Sequence, residues 1–156
     1  MYIMLTYCIL HFWHYHCYTF GITIKTIFKM TSRTKSKIQN NRHEYAIVVP
    51  CFNDEKRLPY ADFLSFAQKH PEVLLCFVDD GSKDKTQAVL FGMQTKSPAN
   101  IKVYPLNTST GKAEAVKIGM NYVNQNFNVK LTGFLDSNLS IRPEDWLKMV
   151  AVKLIP

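Results

Sequence analysis

Charge is missing from the start of this 156-residue chain: residues 1–24, MYIMLTYCILHFWHYHCYTFGITI, hold no Lys, Arg, Asp or Glu. Acid is missing from the next stretch, where residues 25–42 carry Lys25, Lys29, Arg33, Lys35, Lys37 and Arg42 without a single Asp or Glu. Of the 19 basic residues, those six leave 13 from His43 onward, against 12 acidic ones. The formal charge of +7 therefore sits in one flank and the body is nearly neutral, which excludes a broad basic face of the kind that binds nucleic acid. Cysteine is scarce as well. Cys8, Cys17, Cys51 and Cys76 form no CxxC pair and imply no disulfide framework, and the last two lie in apolar, strand-like runs that suit reduced, buried thiols in a reducing compartment.

Several catalytic signatures are also lacking. "NTSTGKAEA" invites a P-loop reading, but Leu106 stands where the first glycine belongs and Ala113 follows the lysine, so Walker A fails. No GxGxxG follows the first apolar run, which removes a dinucleotide-binding Rossmann site. GxSxG, HExxH and a Ser/His/Asp arrangement are absent, and His43 and His70 stand alone and read as surface residues.

What is present begins with the uncharged leader. It is long enough to cross a bilayer, which takes ~20 apolar residues, yet His11, His14, His16 and several Tyr and Thr dilute it. No basic n-region precedes it, which argues against a cleaved signal peptide. It reads as either an apolar leader or a membrane segment. If it inserts, the basic flank stays on the cytoplasmic side and the body is cytoplasmic. Cys8, His11, His14, His16 and Cys17 match no paired zinc-ligand spacing. Residues 25–42, with the polar TSRTKSKIQNNR at their end, read as a basic linker. Residues 43–156 are then one domain.

Within that domain, YAIVVPCFNDE (45–55), EVLLCFVDDGS (72–82), NIKVYPLN (100–107) and LTGFLDSN (131–138) are apolar runs bounded by turn residues, the pattern of strands covered on both faces. Between them the apolar residues Leu58, Phe63, Leu64, Phe66 and Ala67, then Ala88, Val89, Leu90 and Met93, then Ala115, Val116, Ile118, Gly119, Met120 and Val123 recur at helical spacing. PEDWLKMVAVKL adds a last helix, with Pro143 at its first position. The alternation predicts an α/β fold with an open, doubly wound, mostly parallel sheet of four strands, the last followed by a helix.

Acids follow three of the four strands: Asp54 and Glu55, Asp79 and Asp80, and Asp136. In such sheets ligands bind outside the carboxyl ends of the strands, so these acids are expected to meet at one crevice. Carboxylates repel one another unless a cation or a donor-rich ligand lies among them, and a nucleoside diphosphate with Mg²⁺ or Mn²⁺ supplies both. Lys112, at a helix start, is a candidate phosphate contact.

AIVVPCFNDEKRL, FCFVDDGSKDKT, NTSTGKAEAVKIGM and GFLDSNLSIRPEDW occur in an order and spacing that resembles family 2 inverting glycosyltransferases of the GT-A fold. The wording is most similar to the branch of dolichyl- and polyprenyl-phosphate sugar transferases, over about residues 45–150. The resemblance implies a UDP- or GDP-sugar donor and an acceptor that is a lipid phosphate or a glycan. It implies that Pro50, Phe52, Asp54 and Glu55 line the nucleotide pocket and that Asp79 or Asp80 bonds the base. Gly81 and Ser82 would shape the turn, Lys112 would lie near the phosphates, and Asp136 would open an Asp-x-Asp metal motif. Asn138 stands where the second acid belongs, so a Mg²⁺ or Mn²⁺ held by Asp136 and Asn138 is expected to bind weakly. The family's acceptor half, with its general base, follows that motif, whereas this chain ends at Pro156. Either the acceptor is already an anion, or the chain is a catalytically silent nucleotide-sugar-binding fragment. Another doubly wound nucleotide or phosphate binder is the remaining alternative.

Overall fold

The computed structural model describes residues 43–153. The leader and the whole of the linker, with every reading attached to them, lie outside the described residues. The elements alternate: β1 (Tyr45–Cys51), α1 (Tyr60–Lys69), β2 (Val73–Asp79), α2 (Thr86–Lys96), β3 (Ile101–Pro105), α3 (Lys112–Asn126), β4 (Leu131–Phe134) and α4 (Pro143–Lys153). The four strands form one parallel sheet in the order β3-β2-β1-β4, which is the open doubly wound architecture expected from the sequence. No helix among the described residues is long and apolar enough to cross a membrane.

The continuous apolar runs are explained by the layers. Alternate residues of β1 and β2 point to opposite faces, and both faces are covered. Ile47, Val49, Leu75 and Phe77 pack with Phe63 and Phe66 of α1, Leu90 and Met93 of α2, and Trp146 and Val150 of α4. Ala46, Val48, Leu74, Cys76 and Val78 face the other way, onto Ala115 and Val123 of α3. Helix α3 lies especially close to the sheet at Gly119. A Cβ there would sit 2.5 Å from Val48 Cγ1 and 2.7 Å from Val78 Cγ2. The two cysteines in the strands are free and buried, as expected, and burial pushes the Cys76 thiol up to about 12. His70 is more enclosed than the open surface position expected of it. Its ring packs 4.6 Å from that of Phe66 and its Nδ1 lies 3.0 Å from Glu72 Oε1.

The connections run outward from β1 in one direction through β2 and β3, and then return across the sheet through α3 to place β4 on the other side of β1. The gap between the ends of β1 and β4 is therefore the topological switch point, where ligands bind in open α/β sheets. Local chemistry widens it. The ladder between these strands ends at the Val48–Phe134 pair, with Leu135 N–H donating to Val48 C=O (3.0 Å). Backbone groups of Ala46, Val48 and residue 50 face β4, whereas Cys51 C=O faces β2 and accepts from Asp80 N–H (2.8 Å). Residue 50 is Pro50, which has no N–H to offer β4, so the ladder stops there at no cost in unsatisfied donors.

Candidate functional site

A cavity of about 380 Å³ opens at this switch point, within the size range of small-molecule sites. Its floor and one wall come from the end of β1 (Pro50, Cys51, Phe52, Asp54) with Arg57. The opposite wall comes from the loop after β4 (Asp136, Ser137, Asn138), and Asp80, Ser109, Gly111 and Lys112 close the third side. Pro50, Phe52, Asp54, Asp80, Lys112, Asp136 and Asn138, all expected from the sequence, thus lie together. Glu55, Asp79, Gly81 and Ser82 do not line the cavity; they hold up the loops that do.

Asp54 ties two sides of the site together. It is 5% exposed, and its Oδ2 accepts from Phe52 N–H (3.1 Å) and from Ser137 Oγ–H (2.8 Å), joining the end of β1 to the loop after β4. Its Oδ1 accepts from Arg57 Nη2 (2.7 Å). Behind it, the 52–55 loop is laced to the loop after β2. Asn53, at φ 51°, donates its N–H to Ser82 Oγ (3.0 Å) and accepts from Lys83 N–H through Oδ1 (2.8 Å). Asp54 N–H donates to the buried Thr86 Oγ1 (2.7 Å). Glu55 N–H donates to Asp84 Oδ2 (3.1 Å), and Glu55 Oε2 accepts from Lys85 N–H (3.2 Å). Asp79 is 2% exposed and spends Oδ1 on Ser82 N–H (3.2 Å), which closes the turn.

Asp80 is the second fastening. Its Oδ1 accepts from Thr110 N–H (2.7 Å) and Thr110 Oγ1–H (3.0 Å), and its Oδ2 from Ser109 Oγ–H (2.7 Å) and Gly111 N–H (3.0 Å). Burial pushes the carboxyl up, but the donors from Thr110, Ser109 and Gly111 outweigh it and leave Asp80 below its ordinary value of 3.8. The loop is drawn so close that Gly81 admits no side chain. At φ +68°, a Cβ there would meet Ser109 N and Thr108 C at 2.6 Å. The fastened loop runs directly into α3, so Asp80 sets the position of Lys112, whose Nζ lies 2.5 Å from Asp136 Oδ1. Asn138 turns its Oδ1 to Ser140, accepting from that residue's N–H (3.1 Å) and Oγ–H (2.6 Å).

Arg57, Ser109, Gly111, Ser137 and Cys51 complete the wall and were not expected from the sequence. Arg57 left one usable signal: it stands three residues after Asp54 in a turn, within ion-pair reach. Ser137 lies between Asp136 and Asn138 in the DSN motif and carries no charge or ligand signal of its own. Burial and then the Asp54 and Asp79 charges push the Cys51 thiol well above the ordinary 9.0, which favours the protonated form.

Among the described residues no three His, Cys, Asp or Glu side chains are grouped to cage a metal. Asp136 and Asn138 line the cavity with hard oxygens, one anionic and paired with Lys112, one amide and bonded by Ser140. That set fits an Mg²⁺-type ion, which needs only one or two carboxylates when phosphates and water complete its shell.

The family described as Glycosyl transferase family 2 matches residues 46–153, from the second residue of β1 to the end of α4. The chain belongs to glycosyl transferase family 2. Among curated members, undecaprenyl-phosphate 4-deoxy-4-formamido-L-arabinose transferase of Photorhabdus laumondii is 31% identical over 108 residues, covering 67% of this chain and 32% of that protein. The human dolichyl-phosphate beta-glucosyltransferase is 35% identical over 88 residues, 49% of this chain and 26% of that protein. This family 2 chain thus spans about a third or less of the length of these curated relatives. Staphylococcus aureus TarS 1-349, solved in complex with UDP, superposes with a TM-score of 0.56 at 23% identity over 70% of this chain and 31% of that one, a likeness of fold. The sheet of this family 2 member is accordingly of the GT-A type.

Proposed function

We propose that residues 43–156 are the nucleotide-sugar-binding part of a glycosyltransferase that takes a UDP- or GDP-sugar and delivers the sugar to a polyprenyl phosphate. The observation that carries this reading is the cavity at the switch point, where carboxylates from three strand ends meet two cations, Arg57 and Lys112. Relatives named for undecaprenyl-phosphate and dolichyl-phosphate substrates support the acceptor class. An acceptor phosphate is already an anion, so the attack on the sugar needs no carboxylate to remove a proton. This reading keeps Asp136 and Asn138 free for the donor side of the reaction.

In this reading Phe52, 45% exposed at the mouth, offers a ring against a base or sugar. Asp79 and Asp80 are assigned to the base side, Asp79 through the turn that Gly81 and Ser82 shape and Asp80 through the 109–111 loop it fastens at the cavity. Lys112 and Arg57 face the diphosphate, where positive charge lowers the energy of the leaving group as the sugar departs. A divalent ion, when bound through Asp136 and Asn138, adds charge at the same place. Pro50, Asp54 and Glu55 keep the wall in position. Residues 1–24, beside the basic run 25–42, are proposed to bring the domain to the membrane that holds such an acceptor.

A second reading is favoured by one observation, the amide of Asn138 in place of a second acid: a binding module that holds a nucleotide sugar without turning it over. The first test is thermal unfolding of the full chain with UDP or GDP, with and without MnCl₂. A ligand that binds only the folded state raises Tm. One nucleotide is expected to raise it, and more so with Mn²⁺; no shift from either nucleotide under either condition refutes both readings. Sugar transfer from the matching donor to polyprenyl phosphate then separates an enzyme from a silent module.

A further inference from the structure

Lys112 is placed where helix electrostatics disfavour it. It is the first residue of the 15-residue helix α3, at the end that carries partial positive charge and favours anions. Its ammonium is held there by Asp136, the only carboxylate of the DSN motif, with their side chains 59% and 37% exposed. Gly111 is tied to Asp80 immediately before it, so the lysine's starting point is set by the loop and not by the ion pair. The amide oxygen of Asn138 meanwhile accepts two bonds from Ser140. A cation approaching this motif therefore meets a carboxylate that already has a positive partner and an amide that already has donors.

We propose that Lys112 and a divalent cation compete for Asp136, and that a nucleoside diphosphate relieves the competition by giving Lys112 a second anion to pair with. The inference rests on the nucleotide-sugar reading for its second half, while the competition itself is a property of the protein and the metal alone. Lys112 thereby couples the two ligands. When the ammonium leaves Asp136 for phosphate, the carboxylate oxygen becomes available to the metal, and the metal in turn frees the lysine for the diphosphate. Such coupling is reciprocal: nucleotide strengthens metal binding by the same factor as metal strengthens nucleotide binding. With two carboxylates in the motif, a metal could bind through the second acid while the lysine kept the first. With Asn138 in that place, the competition falls on one group.

The test is Mn²⁺ binding to the full chain, followed by electron paramagnetic resonance of the free ion, for the wild type, Lys112→Met, Lys112→Arg and Asp136→Asn. Without nucleotide, Lys112→Met is expected to bind Mn²⁺ about fivefold more tightly, the scale of an exposed ion pair's removal. Lys112→Arg should behave as wild type, and Asp136→Asn should lose the site. In the presence of UDP or GDP, the wild-type gain in Mn²⁺ affinity should be larger than that of Lys112→Met. Unchanged or weaker Mn²⁺ binding by Lys112→Met without nucleotide overturns the proposal, as does undetectable binding by both proteins. If the competition is found but neither nucleotide changes Mn²⁺ affinity or Tm, the coupling half of the proposal and the nucleotide reading fall, and the competition stands. Lys112 is exposed, and an unchanged Tm for each variant excludes misfolding as the cause.

Discussion

Replacing Asp80 with Asn tests whether this carboxylate is the fastening of the 109–111 loop. The two side chains have the same shape, but Asn keeps one acceptor oxygen and turns the other into an N–H₂ donor. Each carboxylate oxygen of Asp80 holds one backbone N–H, Thr110 on one side and Gly111 on the other. Whichever way the amide is turned, a backbone donor faces another donor. A hydrogen bond to a charged group contributes about 1.5–3 kcal/mol. The surviving bonds lose their charge, although the exposed loop recovers part of this from water, so the expected cost is about 2–3 kcal/mol. For a domain of this size that lowers Tm by about 8–12 °C, at roughly 4 °C per kcal/mol.

The pH dependence has a definite sign. The folded carboxyl lies below its ordinary value of 3.8, so its contribution is fully present above the unfolded value and is lost as pH falls through the folded one. Asn cannot titrate. The difference in Tm between wild type and Asp80→Asn should therefore be widest near pH 6–7 and narrow toward about pH 3, as carboxylate linkage dictates. Asp84 and Asp145 are also lowered, but they are present in both proteins and their effects cancel in the difference. Calorimetry across that range is the assay. A Tm within about 2 °C of wild type at neutral pH, less than 1 kcal/mol on the same scale, refutes the reasoning, as does a gap that stays constant down to the lowest pH.

Other substitutions probe the same framework. Gly119→Ala gains about 1 kcal/mol of helix propensity but drives a methyl into Val48 and Val78 at the sheet. Overpacking of about 1–3 kcal/mol prevails, and urea unfolding should report a net loss of stability. Thr86→Val removes the buried acceptor of Asp54 N–H. An unsatisfied buried donor costs about 1–3 kcal/mol, so Tm should fall, and nucleotide affinity should fall with it because Asp54 anchors the cavity wall. Asn138→Asp supplies a second anionic oxygen and should tighten Mn²⁺ binding by about tenfold, as added ligand charge does for hard cations; an unchanged manganese titration would show that residue 138 does not reach the ion.

The strand ends were the most legible feature of the sequence. Runs such as AIVVPC and VLLCFVD can be continuous only if both faces of the sheet are covered, and their alternating burial against α3 on one side and α1, α2 and α4 on the other is the result. The acids following those runs were legible for the same reason, since parallel strands put their carboxyl ends on one edge. Which of them face the cavity was not. Asp79 and Asp80 are neighbours in sequence, yet Asp79 turns inward to Ser82 while Asp80 reaches a loop some 30 residues further on. Arg57 and Ser137 gave little signal because their roles come from Asp54, which draws both into the wall.

The amino-acid sequence by itself determined the alternation of elements, the parallel sheet and the family, because periodicity and motif order are properties of the chain read one residue at a time. Tertiary structure decided the order β3-β2-β1-β4, the gap that Pro50 leaves beside β4, and the pairing of Lys112 with Asp136. Those depend on groups far apart in sequence being brought within a few ångströms, and hydrogen bonds and ion pairs act only over that range.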